Sequence, residues 1–382
     1  MIYLDNAATS YPKPEAVISA ITGFLEKVGA SPGRSGHRLA ADAGRIVYQT
    51  RKAVARLFKL SDPGRIIFSE NATAALNLAI FGLLRPGDRV LVSPLEHNAV
   101  MRPLRHLETQ QQIKIDILPV TETGYYDLKL LKEWCSRRQY RLAVFNHGSN
   151  IIGTLAPLAE ILPIFRKYDI LSVIDGAQSA GACNIDLGAL DPDIFCFTGH
   201  KSLFGPPGTG GLYIKDGVSP TPLIFGGTGS RSETEQQPEF MPDRYESGTP
   251  NTSGIAGLKA GLEFIEEVGL DTIIAHEEKL ADIIRCGLQK IPGLSIAGQR
   301  PDDMRLPLTS FTIAGQTPSE IGHRLDREFG IMVRVGLHCA PRAHKTVNTF
   351  PQGTVRLAPG YFNTSAEMDE TVRAITAIAA GD

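Results

Sequence analysis

Apolar positions at helical spacing open the chain. Val17, Ile18, Ile21, Phe24, Leu25 and Val28 predict an amphipathic helix from Pro14 to Gly29. A glycine-rich linker, Gly29–Gly36, follows, and a second helix is predicted from about Ala40 to Leu60, stopped by Ser61-Asp62-Pro63-Gly64. From Arg65 the pattern changes to short apolar runs alternating with helical stretches. The runs are Arg65–Ser69, Arg89–Ser93, Lys114–Val120, Leu142–Asn146, Leu171–Asp175 and Ile194–Thr198. Helices are expected near Thr73–Leu84, Asn98–Gln111, Leu128–Arg138 and Leu158–Tyr168. Near-continuous apolar strands alternating with helices predict an α/β fold, with a mostly parallel sheet covered on both faces. In such sheets ligand groups gather at the carboxyl ends of the strands.

Beyond Ser253 helices dominate first (Ile255–Val268, Leu270–Ile291). Strands follow near Leu294–Ala297, Leu308–Ile313, Met332–Val335 and Val355–Leu357, and a last helix covers Glu367–Ala380. The pattern divides the chain into a large α/β domain over 15–259 and a small α+β domain over 260–382. Phe225–Asn251 is poor in apolar residues and is expected to be a long loop, whose length favours a functional use.

Composition narrows the function classes. The 382 residues are 42% hydrophobic and 21% charged, with formal net charge -2. That balance argues against a nucleic-acid-binding domain and against a polybasic membrane anchor. The N-terminus lacks a signal-peptide pattern, and no apolar run approaches the ~18–20 residues of a membrane span. Five cysteines, without CxxC or zinc-type spacing, predict neither a disulfide framework nor a metal site, and a reducing cytoplasm is expected.

Five constellations carry candidate chemistry. In Thr198-Gly199-His200-Lys201, a lysine follows a buried strand, where desolvation frees an amine for Schiff-base chemistry. Taken alone, such a lysine is more often a solvated turn residue. Asp175 ends the strand Leu171–Asp175, placed as the carboxylate that pairs with a pyridinium nitrogen, or as a plain helix cap. Around Ala72 and Thr73, a strand gives way to a helix whose free amides suit a phosphate, or need only a cap. His97, in Glu96-His97-Asn98, offers a ring to stack on a planar cofactor and a catalytic proton shuttle, or simply sits at the surface or a helix N-terminus. Asn150 belongs to the same rim and offers an amide to a cofactor ring hydroxyl or to a substrate carboxylate. Last, Arg334-Val335-Gly336-Leu337-His338-Cys339 places a thiol in a polar, cationic turn. His338 and Arg334 would favour its thiolate, and Arg356 downstream could clamp a carboxylate. Cys135, Cys183, Cys196 and Cys286 read as packed structural residues.

Together these segments resemble the cysteine desulfurase and selenocysteine lyase family among the class V, fold-type I pyridoxal-phosphate enzymes. The resemblance begins with Tyr3-Leu4-Asp5-Asn6-Ala7-Ala8-Thr9 and includes the Gly33–Ala40 stretch. It continues through Glu96-His97-Asn98, Ser149–Thr154, Asp175–Gln178, Thr198–Lys201, Glu246–Asn251 and His338-Cys339-Ala340, and ends at the Arg356 strand. It implies a fold-type I architecture, with residues 1–14 associated with the small domain, and a homodimer with its site at the interface. It implies pyridoxal 5'-phosphate as cofactor, with Lys201 as its Schiff-base lysine, Asp175 on the pyridine nitrogen and Gln178 on the ring hydroxyl. His97 would stack on the ring. Ala72, Thr73, Thr198 and His200 would hold the phosphate, and Thr228 would reach the phosphate of the partner subunit. Asn150 and Arg356 would fix the substrate carboxylate, and Cys339 would take sulfur from L-cysteine as a persulfide and pass it to an acceptor protein. The short stretch Pro341–Gly353 places the chain in the compact-loop subgroup. Ala74, where many relatives carry Glu, and the polar segment Ser230–Pro242 depart from the family pattern.

Three alternatives stand beside this reading. A class V aminotransferase or epimerase would share the lysine and aspartate but have no use for the thiol. Selenocysteine lyase activity would use the same residues. A non-catalytic sulfur carrier would need no intact Lys201, Asp175 and Arg356.

Overall fold

The computed structural model describes residues 1–33, 36–298 and 305–381. Residues 34 and 35 of the Gly33–Ala40 stretch lie outside the described residues. The chain opens with a short strand β1 (Ile2–Tyr3), helix α1 (Glu15–Lys27) and helix α2 (Arg38–Leu57). A seven-stranded sheet then forms from β2 (Ile66–Ser69), β3 (Arg89–Val92), β4 (Lys114–Ile117), β5 (Leu142–Asn146), β6 (Leu171–Asp175), β7 (Ile194–Thr198) and β8 (Gly210–Ile214). Its order is β2-β8-β7-β6-β5-β3-β4, parallel throughout except for β8, which runs antiparallel to both neighbours. Helices α3 (Ala72–Leu83), α4 (Asn98–Gln111), α5 (Leu128–Arg137), α6 (Leu158–Lys167) and the one-turn α7 (Leu187–Leu190) connect the strands.

Alternation along each strand builds a core on each face. Ala143, Phe145, Phe195 and Phe197 face a cluster with Phe58 and Phe165, whereas Leu142, Val144, Ile194 and Cys196 face Leu76, Ile80 and Val100. Every residue of β5 and β7 is buried, which explains their unbroken apolar runs. A fully buried side chain of this size stabilises the fold by about 1.5–3 kcal/mol. The sequence pattern predicts β5, β6, β7 and α4 with the ends the structure shows. It does not show β8, because Gly210 and Gly211 read as turn. Both glycines serve packing: a Cβ on Gly211 would lie 2.3 Å from the Ile67 carbonyl oxygen, and one on Gly210 would lie 2.7 Å from Asn71 Cα.

Residues 215–251 contain no helix or strand, as expected of the long loop. Helix α8 (Thr252–Val268) packs on α1 and α2, and helix α9 (Leu270–Leu288) follows it. A four-stranded antiparallel sheet contains β9 (Leu294–Ile296), β10 (Thr309–Ile313), β12 (Arg334–Gly336) and β13 (Thr354–Leu357), in the order β12-β13-β10-β9. The two-residue strand β11 (Ile331–Met332) pairs with β1 instead. Helices α10 (Pro318–Phe329), α11 (Pro341–Thr346) and α12 (Ser365–Ala380) complete the fold. The sequence pattern predicts neither α10 nor α11. The buried stripe of α10 is only Pro318, Ile321 and Leu325, although its Thr317–Glu320 capping box is a legible start signal.

The division near 260 falls inside α8. Leu258, Leu262 and Ile265 of that helix lie in the core of the large sheet, and Leu280, Ile284 and Leu288 of α9 lie in the core of the small one. Ile2 and Leu4 share that small core. Among the described residues no helix is long and apolar enough to cross a membrane.

Candidate active site

The carboxyl ends of three adjacent parallel strands converge. Asn146, Asp175 and Cys196 sit side by side in register, and β7 ends two residues later at Thr198. A cavity of about 320 Å³ lies beyond them. Asp175 is buried, and its Oδ1 accepts from the Ala177 amide at 2.9 Å. Gly176 lets the chain turn there, because a Cβ would lie 2.0 Å from the ring of Phe195. Lys201 follows β7 by one turn and lines the same cavity, as do Thr198, His200 and Gln178. Gln178 Nε2 donates to the Ala7 carbonyl at 3.0 Å, and Thr198 Oγ1 lies 3.5 Å from the Thr209 carbonyl.

Helix α3 aims its N-terminus at this cavity. Asn71 caps it by accepting from the Ala74 amide at 2.9 Å, and Ala72 and Thr73, its first residues, line the wall. First-turn amides have no partner within a helix, so this end favours an anion. His97 caps α4: its Nδ1 accepts from the Ala99 amide at 3.0 Å, which fixes the ring and places its proton on Nε2. Beneath it the fully buried Glu96 accepts from Ser93 Oγ at 2.6 Å and from the Asn146 amide at 2.8 Å.

The small domain supplies the opposite wall. Arg356 on β13 is 2% exposed. Its Nη1 donates to the Asn150 carbonyl at 3.0 Å, and its Nη2 to Asp5 Oδ1 at 2.8 Å. Asn150 Nδ2 donates to the His338 carbonyl at 2.8 Å. His338 and Cys339 are consecutive residues with positive φ, 45° and 59°. This turn buries His338 and Ala340 on either side and leaves Cys339 exposed in the cavity wall. The Asn98 amide donates to the Cys339 carbonyl at 2.8 Å, and α11 starts two residues later. The thiol therefore sits on a short, tethered turn.

Burial governs the charges. Desolvation, opposed by Asp175 and reinforced by Arg356, pushes the Lys201 amine down to about 8. Desolvation also raises Asp175, opposed by the Ala177 amide and Lys201, and lifts Glu96 to about 8. His97 falls to about 4 through desolvation and then Lys201, and His200 falls to about 4 through desolvation and its lysine neighbours. Near pH 7 Glu96, His97 and His200 are therefore neutral, and the Lys201 amine is largely protonated. His338 corrects the sequence expectation. Desolvation, then Arg356 and His344, push it down to about 2, and its Nε2 is 3.1 Å from Thr354 Oγ1. It is a neutral structural ring and lends no positive charge to the thiol; of the two residues expected to do so, Arg334 remains a cation and lines the cavity.

Eleven of the twelve residues singled out as site residues therefore line one cavity: Ala72, Thr73, His97, Asn150, Asp175, Gln178, Thr198, His200, Lys201, Cys339 and Arg356. Thr228 does not. It lies beside a separate hollow formed by Phe225–Pro238, with its hydroxyl 3.0 Å from Ser230 Oγ. Cys286 is also corrected, being exposed on α9, whereas Cys135 and Cys196 are buried. No role was read from the sequence for Asp5, which meets the site through Arg356, 351 residues away, or for Asn71 and Asn146, which line the cavity as the cap of α3 and the last residue of β5. Among the described residues no group of three or more His, Cys, Asp or Glu is placed to hold a metal ion.

The family model described as aminotransferase class-V matches residues 2–371. A cysteine desulfurase from Synechococcus elongatus is 32% identical over the whole chain, and a probable cysteine desulfurase from Mycolicibacterium paratuberculosis is 31% identical. The chain spans only 61% and 56% of these two relatives. A cysteine desulfurase from Escherichia coli is 31% identical, with 99% of this chain and 93% of the relative covered. The apo structure of the Thermococcus onnurineus cysteine desulfurase superposes with a TM-score of 0.92 at 31% identity, covering 100% of this chain and 95% of that one. The chain belongs to the class-V aminotransferase family.

Proposed function

We propose that this protein is a pyridoxal-phosphate-dependent cysteine desulfurase, converting L-cysteine to L-alanine and leaving the sulfur as a persulfide on Cys339. The observation that carries the reading is the presence of Lys201, Asp175, Arg356 and Cys339 around one cavity. An amine, a buried carboxylate, a carboxylate-binding guanidinium and an exposed thiol are the parts that this reaction requires.

The cavity residues fit the cofactor. Asp175 is a buried carboxylate whose ionisation desolvation opposes, and a protonated ring nitrogen would supply the missing cation. The buried His200 Nδ1 lacks a partner, and the first turn of α3 offers amides beside Thr73, which suits a phosphate. In this reading Lys201 is the covalent anchor, Asp175 and Gln178 hold the ring, His97 stacks on it, and Ala72, Thr73, Thr198 and His200 hold the phosphate. Thr228, outside the cavity in one chain, would serve the phosphate of a partner subunit in a homodimer. Bound there, pyridoxal phosphate supplies an electron sink for the substrate α-carbon.

The protein's own groups do the rest. Arg356 and Asn150 bind the α-carboxylate and orient the α-carbon proton toward Lys201. Lys201 Nζ, lowered by burial, accepts that proton when it is neutral and returns a proton during product formation. Cys339 Sγ, as thiolate, attacks the substrate sulfur. The new S–S bond forms as the C–S bond breaks, and the electron pair stays with the carbon skeleton, which takes up protons and leaves as alanine. The turn that carries Cys339 is short, so the sulfur acceptor, a protein or small thiol, must come to the cavity mouth. A reducing cytoplasm would keep Cys339 free for each turnover.

The test is spectroscopic and then kinetic. Protein loaded with pyridoxal phosphate should show a visible band that borohydride abolishes, and L-cysteine should yield alanine. Absence of the band, or alanine from the Cys339→Ala variant at the unaltered rate, would overturn the reading. Parallel turnover of cysteine and selenocysteine separates desulfurase from selenocysteine lyase.

A further inference from the structure

The Tyr3–Lys13 segment wraps the cavity and touches each part of it. Asp5 accepts from Arg356 at 2.8 Å, and the Ala7 carbonyl accepts from Gln178 at 3.0 Å. Thr9 Oγ1 and Lys13 Nζ donate to the His200 carbonyl at 2.9 and 2.7 Å, and Ser10 Oγ donates to the Lys201 carbonyl at 2.9 Å. Asp5 itself is held firmly. Its backbone bridges Ala358 in parallel pairing, its carbonyl accepts from Tyr3 Oη at 3.2 Å, and its neighbour Leu4 is fully buried.

This matters for Arg356, which has five N–H donors and little else to fix it. Nη1 is turned onto the Asn150 carbonyl and Nη2 onto Asp5, while the buried Nε has no partner in the protein. Two anchors at one end of the fork leave an unfilled donor on a buried cation that lines the cavity. The ion pair also favours the charged guanidinium, which burial and Arg334, its cross-strand neighbour on β12, disfavour.

We propose that Asp5 is a positioning residue: it holds the Arg356 guanidinium in the orientation that receives an α-carboxylate, and thereby sets selectivity for carboxylate-bearing amines. This rests on the reading of Arg356 as the carboxylate site. Asp5 touches no substrate and acts through Arg356 alone.

The experiment compares wild type, Asp5→Ala, Asp5→Glu and Asp5→Asn by calorimetric titration of the loaded protein with L-alanine and with ethylamine, which lacks the carboxylate. Asp5→Ala is expected to weaken L-alanine by about tenfold or more, the scale of one lost charge-assisted hydrogen bond, and to leave ethylamine nearly unchanged. Asp5→Glu keeps the charge but displaces it, and should lower the same ratio even if the alanine variant does not fold. Asp5→Asn keeps an acceptor for Nη2 and should recover most of the ratio. With cysteine, KM should rise more than kcat falls. An unchanged alanine-to-ethylamine ratio in Asp5→Ala and Asp5→Glu, or a wild type that does not prefer L-alanine, would overturn the proposal. The visible cofactor band, read separately, reports whether the wider cofactor reading stands.

Discussion

The Asn98 amide donates to the Cys339 carbonyl at 2.8 Å, so the first residue of α4 holds the turn that carries the thiol. His97, just before it, is fixed by its own bond to Ala99. The ring and the thiol, on opposite sides of the cavity, are thus placed through two adjacent residues, His97 and Asn98. Asn98→Pro removes this donor with little cost to the helix, because proline suits the first helical position and His97 already has the φ of -69° and ψ of 157° that a following proline requires. The variant should fold and load cofactor but form persulfide more slowly, by about tenfold to a hundredfold, since a shift on the order of 1 Å costs that much. Asn98→Ala keeps the amide and should behave as wild type. Single-turnover kinetics with L-cysteine checks both.

Gly176→Ala tests the turn after Asp175. Its Cβ would lie 2.0 Å from the Phe195 ring, which is itself fully buried. Overpacking here should destabilise the protein by about 1–3 kcal/mol or more, read as a lowered denaturant midpoint with an unchanged slope. It should also displace Asp175 and weaken cofactor retention.

Glu96 gives a pH signature for stability. Its folded pKa is raised by burial to about 8 from the ordinary 4.5, so the folded state holds a proton that the unfolded state has released between these values. Its contribution is full below about pH 4.5 and is lost as pH rises through about 8. Glu96→Gln cannot titrate. Its thermal midpoint should fall less steeply than that of wild type from pH 5 to 8.

Lys201 gives a second pH signature. Its amine is lowered from 10.5 to about 8, so the nucleophilic neutral form gains population from pH 7 to 9 rather than above 10. The rate of pyridoxal-phosphate uptake by cofactor-free protein should rise through about pH 8 and then level, followed by the visible band. A rise that continues to pH 10 would indicate an ordinary, solvated lysine.

The sequence was most legible where one local rule governs. The strands ending at Asn146, Asp175 and Thr198 are buried on both faces and show as unbroken apolar runs, so their chemical termini could be placed to the residue. Strand β8 was illegible because its two glycines answer to neighbouring backbone, not to local conformation. The charge state of His338 was also hidden. A histidine beside a cysteine looks like a base, but its burial next to Arg356 and its bond to Thr354 come from distant strands. Asp5 was visible within a motif, yet its partner Arg356 lies 351 residues away, a pairing that only the fold reveals.

The most direct test of the central claim is peptide mass analysis of the loaded protein after one turnover with L-cysteine, with alanine quantified in the same sample. The account predicts one added sulfur on the peptide containing Cys339, in equal amount to the alanine formed, and no such adduct on Cys286. Alanine formed without sulfur on Cys339, or at the same rate in the Cys339→Ala protein, would contradict it.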